Sequence, residues 1–183
     1  MGASGVVALL DERHNQLVAE IWDRLRHEAG IPLPQPALPH FSYHVAERYK
    51  APALETALRG LAANSKPFRA WTSGLGVFTQ PVPVLYVAVV RSPELSRYQR
   101  WAWWEVHPTA NGSLDYYLPE RWVPHITLAQ QGLTPENLAE AIRLLAGRDF
   151  HWPLDIDNIS YVDGSQPEQK LRLRLMLGGE ARD

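Results

Sequence analysis

Two short segments of this chain repeat one another. Each consists of a proline, a histidine, an apolar residue and a hydroxyl residue: Pro39-His40-Phe41-Ser42 and Pro124-His125-Ile126-Thr127. The two histidines lie 85 residues apart (125 − 40), which is close to half of the 183-residue chain. A single H-x-[ST] occurs often by chance, but two copies at equivalent places, each after a proline, indicate an internal duplication.

Both segments are predicted to be β-strands, in which side chains alternate between two faces. His40, Ser42 and His44 are therefore expected on one face of the first strand. By the same alternation, His125, Thr127 and Ala129 share a face of the second strand. Each strand would present an imidazole beside a hydroxyl, with apolar residues such as Phe41 and Ile126 turned to the core.

Two imidazoles and two hydroxyls suit the cleavage of a phosphodiester. Histidine exchanges protons near neutral pH, so one histidine can activate the attacking oxygen while the other protonates the leaving oxygen. Hydroxyls can donate hydrogen bonds to the non-bridging oxygens, which gain charge in the transition state. This scheme requires no metal and no cofactor. A zinc pair of His40 and His44 is disfavoured, since four residues along a strand span roughly 13 Å.

The rest of the chain reads as alternating strands and helices, which predicts an α+β fold with helices packed on sheets. The predicted strands are Val6–Leu10, His40–Ala46, Phe68–Phe78, Val82–Val90, His125–Ala129, Trp152–Val162 and Lys170–Leu177. The predicted helices are Glu12–Glu28, Pro52–Ala63, Pro93–Val106 and Thr134–Leu145. Gln80-Pro81 is expected to join two strands as a hairpin, and Asn111-Gly112 is expected to form a turn.

Composition narrows the class of protein. The chain has no cysteine, which excludes disulfides, thiol nucleophiles and thiolate metal sites and fits a cytoplasmic protein. The net charge of −2 does not predict an extended nucleic-acid surface, but it is compatible with a small nucleotide or an RNA end. No stretch is long and apolar enough for a membrane helix. We expect one domain, residues 1–183, as a monomer.

The sequence resembles the two-histidine phosphoesterase superfamily, which includes 2′-5′ RNA ligase-like proteins and cyclic nucleotide phosphodiesterases. His125-Ile126-Thr127 matches its H-x-[ST] motif closely, whereas His40-Phe41-Ser42, followed by Tyr43, matches less closely. The strands around Gly74-Leu75-Gly76-Val77-Phe78 and Val84–Val89 resemble the pair between the two motifs.

The resemblance implies a bilobal fold of duplicated β-α-β-α-β halves, with antiparallel sheets around a central cleft and helices outside. It implies hydrolysis of a 2′,3′-cyclic phosphate to a 2′-phosphate, with reverse 2′-5′ RNA ligation in some members. His40 and His125 would be the acid and base, in an order that the sequence leaves open. Ser42 and Thr127 would bind the phosphate. Phe78 is expected near the cleft as a stacking surface, and His44 either lines the cleft or packs beside it.

Two other functions fit the same residues. The weaker first motif is compatible with a catalytically silent module that binds RNA or a nucleotide. The modest net charge fits a phosphodiesterase for a non-nucleic cyclic phosphate as well as it fits one for RNA.

Overall fold

The computed structural model describes residues 3–32, 38–79, 81–130, 132–164 and 169–178. Nine strands and four α-helices follow one another within these residues. In chain order they are β1 (Ser4–Leu9), α1 (Glu12–Glu28), β2 (His40–Tyr49), α2 (Ala51–Ala63), β3 (Phe68–Phe78), β4 (Val84–Val89), α3 (Pro93–Val106), β5 (Ala110–Ser113), β6 (His125–Ala129), α4 (Pro135–Leu145), β7 (Pro153–Ile156), β8 (Asn158–Asp163) and β9 (Lys170–Met176). Two 3₁₀ turns, His107–Thr109 and Asp115–Tyr117, flank β5.

The strands form a sheet in the order β7-β3-β4-β6-β2-β1-β8-β9, and β5 pairs with β2 off this path. All of the strand pairs are antiparallel. The order divides into two halves of four strands, with the two motif strands β6 and β2 side by side at the centre. Their ladder is reduced to one residue pair, Phe41 with Ile126. The predicted α+β fold with two related halves is therefore confirmed.

The helices begin where the sequence provides caps. The Asp11 side chain accepts a hydrogen bond from the His14 backbone N–H and caps the start of α1. Thr134 caps α4 through a reciprocal pair of hydrogen bonds with Asn137, and Pro135 occupies the first turn, where no helical N–H is needed. Gly30 follows α1 with a φ of +63°, a conformation that glycine adopts readily.

All four helices pack on one face of the sheet. Their buried apolar side chains join those of the strands in one hydrophobic cluster, which includes Ile21 of α1, Leu58 of α2, Leu95 of α3 and Leu145 of α4. We call this side the helix face and the opposite side the site face. A second, small cluster on the site face comprises Val7, Leu9 and Val162, with Leu38 packed against it. No helix among the described residues could span a membrane.

Two predictions about the strands were wrong. Asn111-Gly112 is not a turn but part of β5, because β2 runs on to Tyr49 and pairs there with Ala110. Gly112 has a φ of +66°, and a Cβ at this position would come within 2.6 Å of Glu47 side-chain carbons, so the strand needs glycine here.

Trp152–Val162 is not one strand. Asp157 interrupts it, so that β7 pairs with β3 at one end of the sheet order while β8 pairs with β1 near the other. The positions that join the main hydrophobic core change parity at this break, from Leu154 and Ile156 to Ile159. The predicted hairpin joins β3 and β4, which are indeed paired, but Gln80 lies outside the described residues.

Candidate active site

The two motif histidines lie on neighbouring strands and on the same face. Phe41 and Ile126 are paired across β2 and β6, and both are fully buried in the core on the helix face. Because side chains alternate along a strand, the residues on either side of this pair point to the site face. His40, Ser42, His125 and Thr127 are all half-buried there. The antiparallel register places His40 beside Thr127 and Ser42 beside His125.

Each histidine is held by the same local hydrogen bond. The Nδ1–H of His40 donates to the Leu38 carbonyl at 2.5 Å, and that of His125 donates to the Val123 carbonyl at 2.7 Å. A carbonyl oxygen can only accept, so Nδ1 must carry the proton in both rings. In the neutral imidazole Nε2 is then unprotonated and can accept a proton, and in the cation it can donate one.

The surroundings of both imidazoles favour the neutral form. Burial lowers the pKa of His40, the Leu38 carbonyl partly opposes this, and the charge of His125 lowers the pKa further. Burial also lowers the pKa of His125, with the Val123 carbonyl acting in the opposite direction. Because the charge of His125 contributes to the lowered pKa of His40, protonation of one ring disfavours protonation of the other.

The two hydroxyl residues differ in their surroundings. Among the described residues Thr127 makes no hydrogen bond through its hydroxyl, which leaves that group free for a ligand oxygen. Burial raises the pKa of Tyr117 to about 12, while the Ser42 side chain, within hydrogen-bonding reach of the Tyr117 hydroxyl, acts in the opposite direction. The Trp122 indole N–H donates to the Ser42 carbonyl at 2.8 Å and ties the segment before β6 to β2.

Two aromatic rings stand beside His125. Phe78 of β3 and Tyr86 of β4 are stacked with centroids 4.3 Å apart, and we call this pair the aromatic wall. The His125 ring meets Phe78 edge-on at 5.0 Å and Tyr86 at 5.3 Å. Phe78, predicted near the cleft from the family resemblance, therefore contacts one of the two motif histidines.

The prediction that His44 shares a face with His40 and Ser42 was wrong. A β-bulge interrupts the ladder between β1 and β2, since Val7 pairs with Ser42 but Val6 pairs with His44, leaving Tyr43 as the extra residue. A bulge of this kind breaks the alternation of side chains. His44 is consequently fully buried on the helix face.

There His44 lies against residues of α3 and its C-terminal turn. Its ring centroid is 6.2 Å from that of Trp103 and 6.0 Å from that of His107. Its Nδ1–H donates to the Tyr49 hydroxyl at 2.7 Å. The contacts of His44 are thus with the core and not with the site face.

The second motif strand contains the same irregularity at the equivalent position. Tyr86 pairs with Thr127 but Leu85 pairs with Ala129, so Leu128 is the extra residue. Both Leu128 and Ala129 are buried in the core, and the predicted placement of Ala129 beside Thr127 was therefore wrong. In both halves the bulge follows the hydroxyl residue directly, so each strand leaves the site face at that point.

Sequence reasoning missed Tyr86, Tyr117 and Trp122 as parts of the site. Tyr86 sits in an apolar strand without a motif of its own. Its signal is Gly76, the cross-strand partner of Tyr86, because a glycine inside a strand often marks close approach of another group. Tyr117 and Trp122 come from the loop before β6, where the sequence offers no periodic pattern.

The described part of the chain contains no group of three or more histidine, aspartate or glutamate side chains arranged to hold a metal ion. His40 and His44 point to opposite faces of β2, so they do not form the pair considered from their spacing. The two imidazoles and the two hydroxyls of the motifs are groups on the site face that can act chemically.

Solved structures show the same fold. TT0787 of Thermus thermophilus matches with a TM-score of 0.66 and 19% identity, covering 98% of this chain and 100% of that one. LigT of E. coli in complex with phosphate matches with a TM-score of 0.57 and 16% identity, covering 96% and 97%. LigT in complex with 3′-AMP matches with a TM-score of 0.56 and 14% identity, covering 96% and 98%. The comparison with curated proteins gives no match.

A family model described as the 2′-5′ RNA ligase superfamily matches residues 14–167, which contain both histidine motifs and most of the sheet. This match agrees with the two related halves of the sheet and with the two imidazoles, each hydrogen-bonded to a backbone carbonyl. This chain belongs to the 2′-5′ RNA ligase superfamily.

Proposed function

We propose that the protein is a metal-independent phosphodiesterase that hydrolyses a 2′,3′-cyclic phosphate, on a nucleotide or an RNA end, to a 2′-phosphate. The observation that carries the proposal is the pair of imidazoles on one sheet face, each with Nδ1–H fixed on a carbonyl and Nε2 left for proton transfer. The complexes of E. coli LigT with phosphate and 3′-AMP support a nucleotide phosphate as the ligand class.

In the proposed reaction the Nε2 atoms divide the two proton transfers. One neutral imidazole, of His40 or His125, takes a proton from water as the water oxygen forms a bond to phosphorus. The bond from phosphorus to the ribose O3′ breaks, and the other imidazole, as a cation, gives its Nε2 proton to O3′. The product is a 2′-phosphate, and the two rings have exchanged protonation states.

The hydroxyls of Ser42 and Thr127 would hold the phosphate between the rings. By register each hydroxyl lies beside the histidine of the other strand, so the four groups surround one position. Donors placed at non-bridging oxygens stabilise the charge that these oxygens gain in the transition state. Loss of a single oxyanion donor typically costs about 10²–10³ in kcat.

The proposal predicts the shape of the plot of kcat/KM against pH. The active state has one proton shared by two rings, and burial lowers both pKa values. The plot of kcat/KM, which reports the free enzyme, should therefore be bell-shaped, with its alkaline limb at or below ~6.5, the ordinary value for histidine.

Turnover of a panel of cyclic phosphodiesters tests the proposal. The wild type should open a 2′,3′-cyclic nucleotide in the presence of EDTA, and His40→Ala and His125→Ala should each abolish turnover while circular dichroism shows an intact fold. His151→Ala is the matched control, because His151 is an exposed histidine outside the site. Full activity of His125→Ala would refute the assignment.

The same panel separates the two alternative functions. Tight binding of a 2′-phosphate nucleotide without turnover of any substrate would indicate a binding module. Turnover confined to a cyclic phosphate without a nucleobase would retain the chemistry but replace the substrate class. End-joining of RNA fragments by the wild type, lost in His125→Ala, would add the reverse 2′-5′ ligation.

A further inference from the structure

Tyr86 occupies a notch that exists only because residue 76 is glycine. Gly76 and Tyr86 are cross-strand partners in β3 and β4. A Cβ on Gly76 would come within 2.6 Å of the Tyr86 hydroxyl oxygen and closer still to carbons of the ring. The tyrosine ring therefore lies against the backbone of β3, where no other residue type leaves room for it.

The notch at Gly76 fixes the position of the Tyr86 ring relative to His125. Tyr86 is also the cross-strand partner of Thr127, so it shares the site face with the phosphate-binding candidates. Phe78 stacks on the tyrosine ring, and both rings of the aromatic wall contact His125. Tyr86 is 9% exposed, so its ring is packed between its neighbours and does not stand in solvent.

The other half of the sheet shows that this wall does not follow from the duplication alone. The register makes Val7, which pairs with Ser42, the counterpart of Tyr86, and makes Ser160, which pairs with Val7, the counterpart of Gly76. Two residues further along β8, Val162 corresponds to Phe78. The corresponding positions beside His40 are thus aliphatic or small, and the notch with its aromatic ring belongs to the His125 half.

A histidine that transfers a proton must hold Nε2 in one direction. The bond from Nδ1–H to the Val123 carbonyl fixes one point of the His125 ring, but the torsion of an imidazole about its χ2 bond is broad. Contacts with two rings at 5.0 and 5.3 Å limit the remaining rotation. We propose that Tyr86, seated in the notch of Gly76, is a positioning residue that fixes the plane of the His125 imidazole and keeps water from it.

This inference rests on the proposed function, and one measurement tests it without turnover. Titration of the His125 ring by NMR in wild type, Tyr86→Ala and Gly76→Ala should show a higher midpoint in both variants, closer to the ordinary ~6.5, because the ring becomes hydrated. The limb of the kcat/KM profile that belongs to His125 should move in the same direction. Since misplacement of a reacting group by about 1 Å can cost on the order of 10²-fold, kcat/KM should fall roughly 10- to 100-fold.

Two variants serve as controls. Tyr86→Phe retains the ring and should keep the wild-type midpoint and pH profile. Gly60→Ala adds a methyl group to α2, where nothing lies within 4 Å, and should change neither quantity. Tyr86→Leu replaces Tyr86→Ala if the alanine variant does not fold.

The outcomes are distinct. An unchanged His125 midpoint and pH profile in Tyr86→Ala or Tyr86→Leu would overturn the inference. A fall in kcat/KM in Tyr86→Phe equal to that in Tyr86→Ala would also overturn the inference. The effect of Tyr86 would then come from its hydroxyl and not from its ring. A raised midpoint in a protein that turns over no cyclic phosphate would support the positioning of the ring and reject the proposed function.

Discussion

Acid should destabilise this protein through a buried imidazole that is not part of the candidate site, and His44→Asn should remove that sensitivity. His44 is fully buried, and its Nε2 has no hydrogen-bond partner among the described residues. Burial, with a smaller contribution from the charge of His107, lowers the pKa of His44 to about 4. The side chains that face it are Tyr49 on its own strand and Trp103 and His107 from α3 and the following turn.

The sign and the size follow from this pKa. In the unfolded chain His44 titrates near ~6.5, so as the pH falls the unfolded state takes up the proton first. Stability is therefore lost between about pH 6.5 and about pH 4. A difference of about 2.5 pKa units corresponds to about 3 kcal/mol in full. Between pH 7 and pH 5 the loss from this residue should be about 2 kcal/mol.

Urea unfolding at pH 7 and at pH 5 measures the effect. Asparagine can donate to the Tyr49 hydroxyl as Nδ1–H does, but it does not titrate, so His44→Asn should lose about 2 kcal/mol less than wild type over this interval. The lower stability of the variant at pH 7, caused by the smaller side chain, cancels in the difference. Acid effects at His40 and His125 are present in both proteins and cancel as well.

His27 provides a matched control, since it is an exposed histidine on α1. His27→Asn should show the wild-type loss of stability between the two pH values. Equal losses in wild type and His44→Asn would refute the reasoning, because they would mean that protonation of the buried ring carries no cost.

Three further substitutions test contacts that support the site and the fold. Trp122→Phe removes the hydrogen bond to the Ser42 carbonyl and should cost about 1–3 kcal/mol in urea unfolding, together with a lower kcat; unchanged values would mean that this bond holds nothing in place. Asn158→Ala leaves the backbone N–H and C=O of Leu9 without their buried partner and should cost about 3 kcal/mol or more, whereas a cost under about 1 kcal/mol would show that other groups replace it. Thr134→Ala removes the N-cap of α4 and should lower stability by about 1 kcal/mol without changing turnover, and a changed KM would contradict its assignment as a helix cap only.

Local signals in the sequence predicted the helices well. The bounds of α1 and α3 agree with the prediction, because Asp11 and Ser92 cap them and their apolar residues recur at helical spacing. The strand β6 also has its predicted bounds, since a proline precedes it and a polar residue follows. These features depend on residues within a few positions of one another.

The errors concern features that depend on distant partners. The bulges at Tyr43 and Leu128 are defined by the residues of β1 and β4 that lie opposite them. The sequences of β2 and β6 alone do not determine this register. Alternation therefore placed His44 and Ala129 on the wrong face. Tyr86 was missed for the same reason, because its role depends on Gly76 across the sheet and not on its neighbours in the chain.

The two halves of the sheet meet through a single ladder pair between β2 and β6, the strands that hold the two motif histidines. Each half is held by long ladders, whereas Phe41 and Ile126 form the one ladder pair across the centre within the described part of the chain. These two buried side chains and the bond from the Trp122 indole to the Ser42 carbonyl are among the contacts that join the halves next to the histidines. We therefore expect a change of volume at Ile126 to change the spacing of His40 and His125 while leaving both imidazoles and both hydroxyls in place.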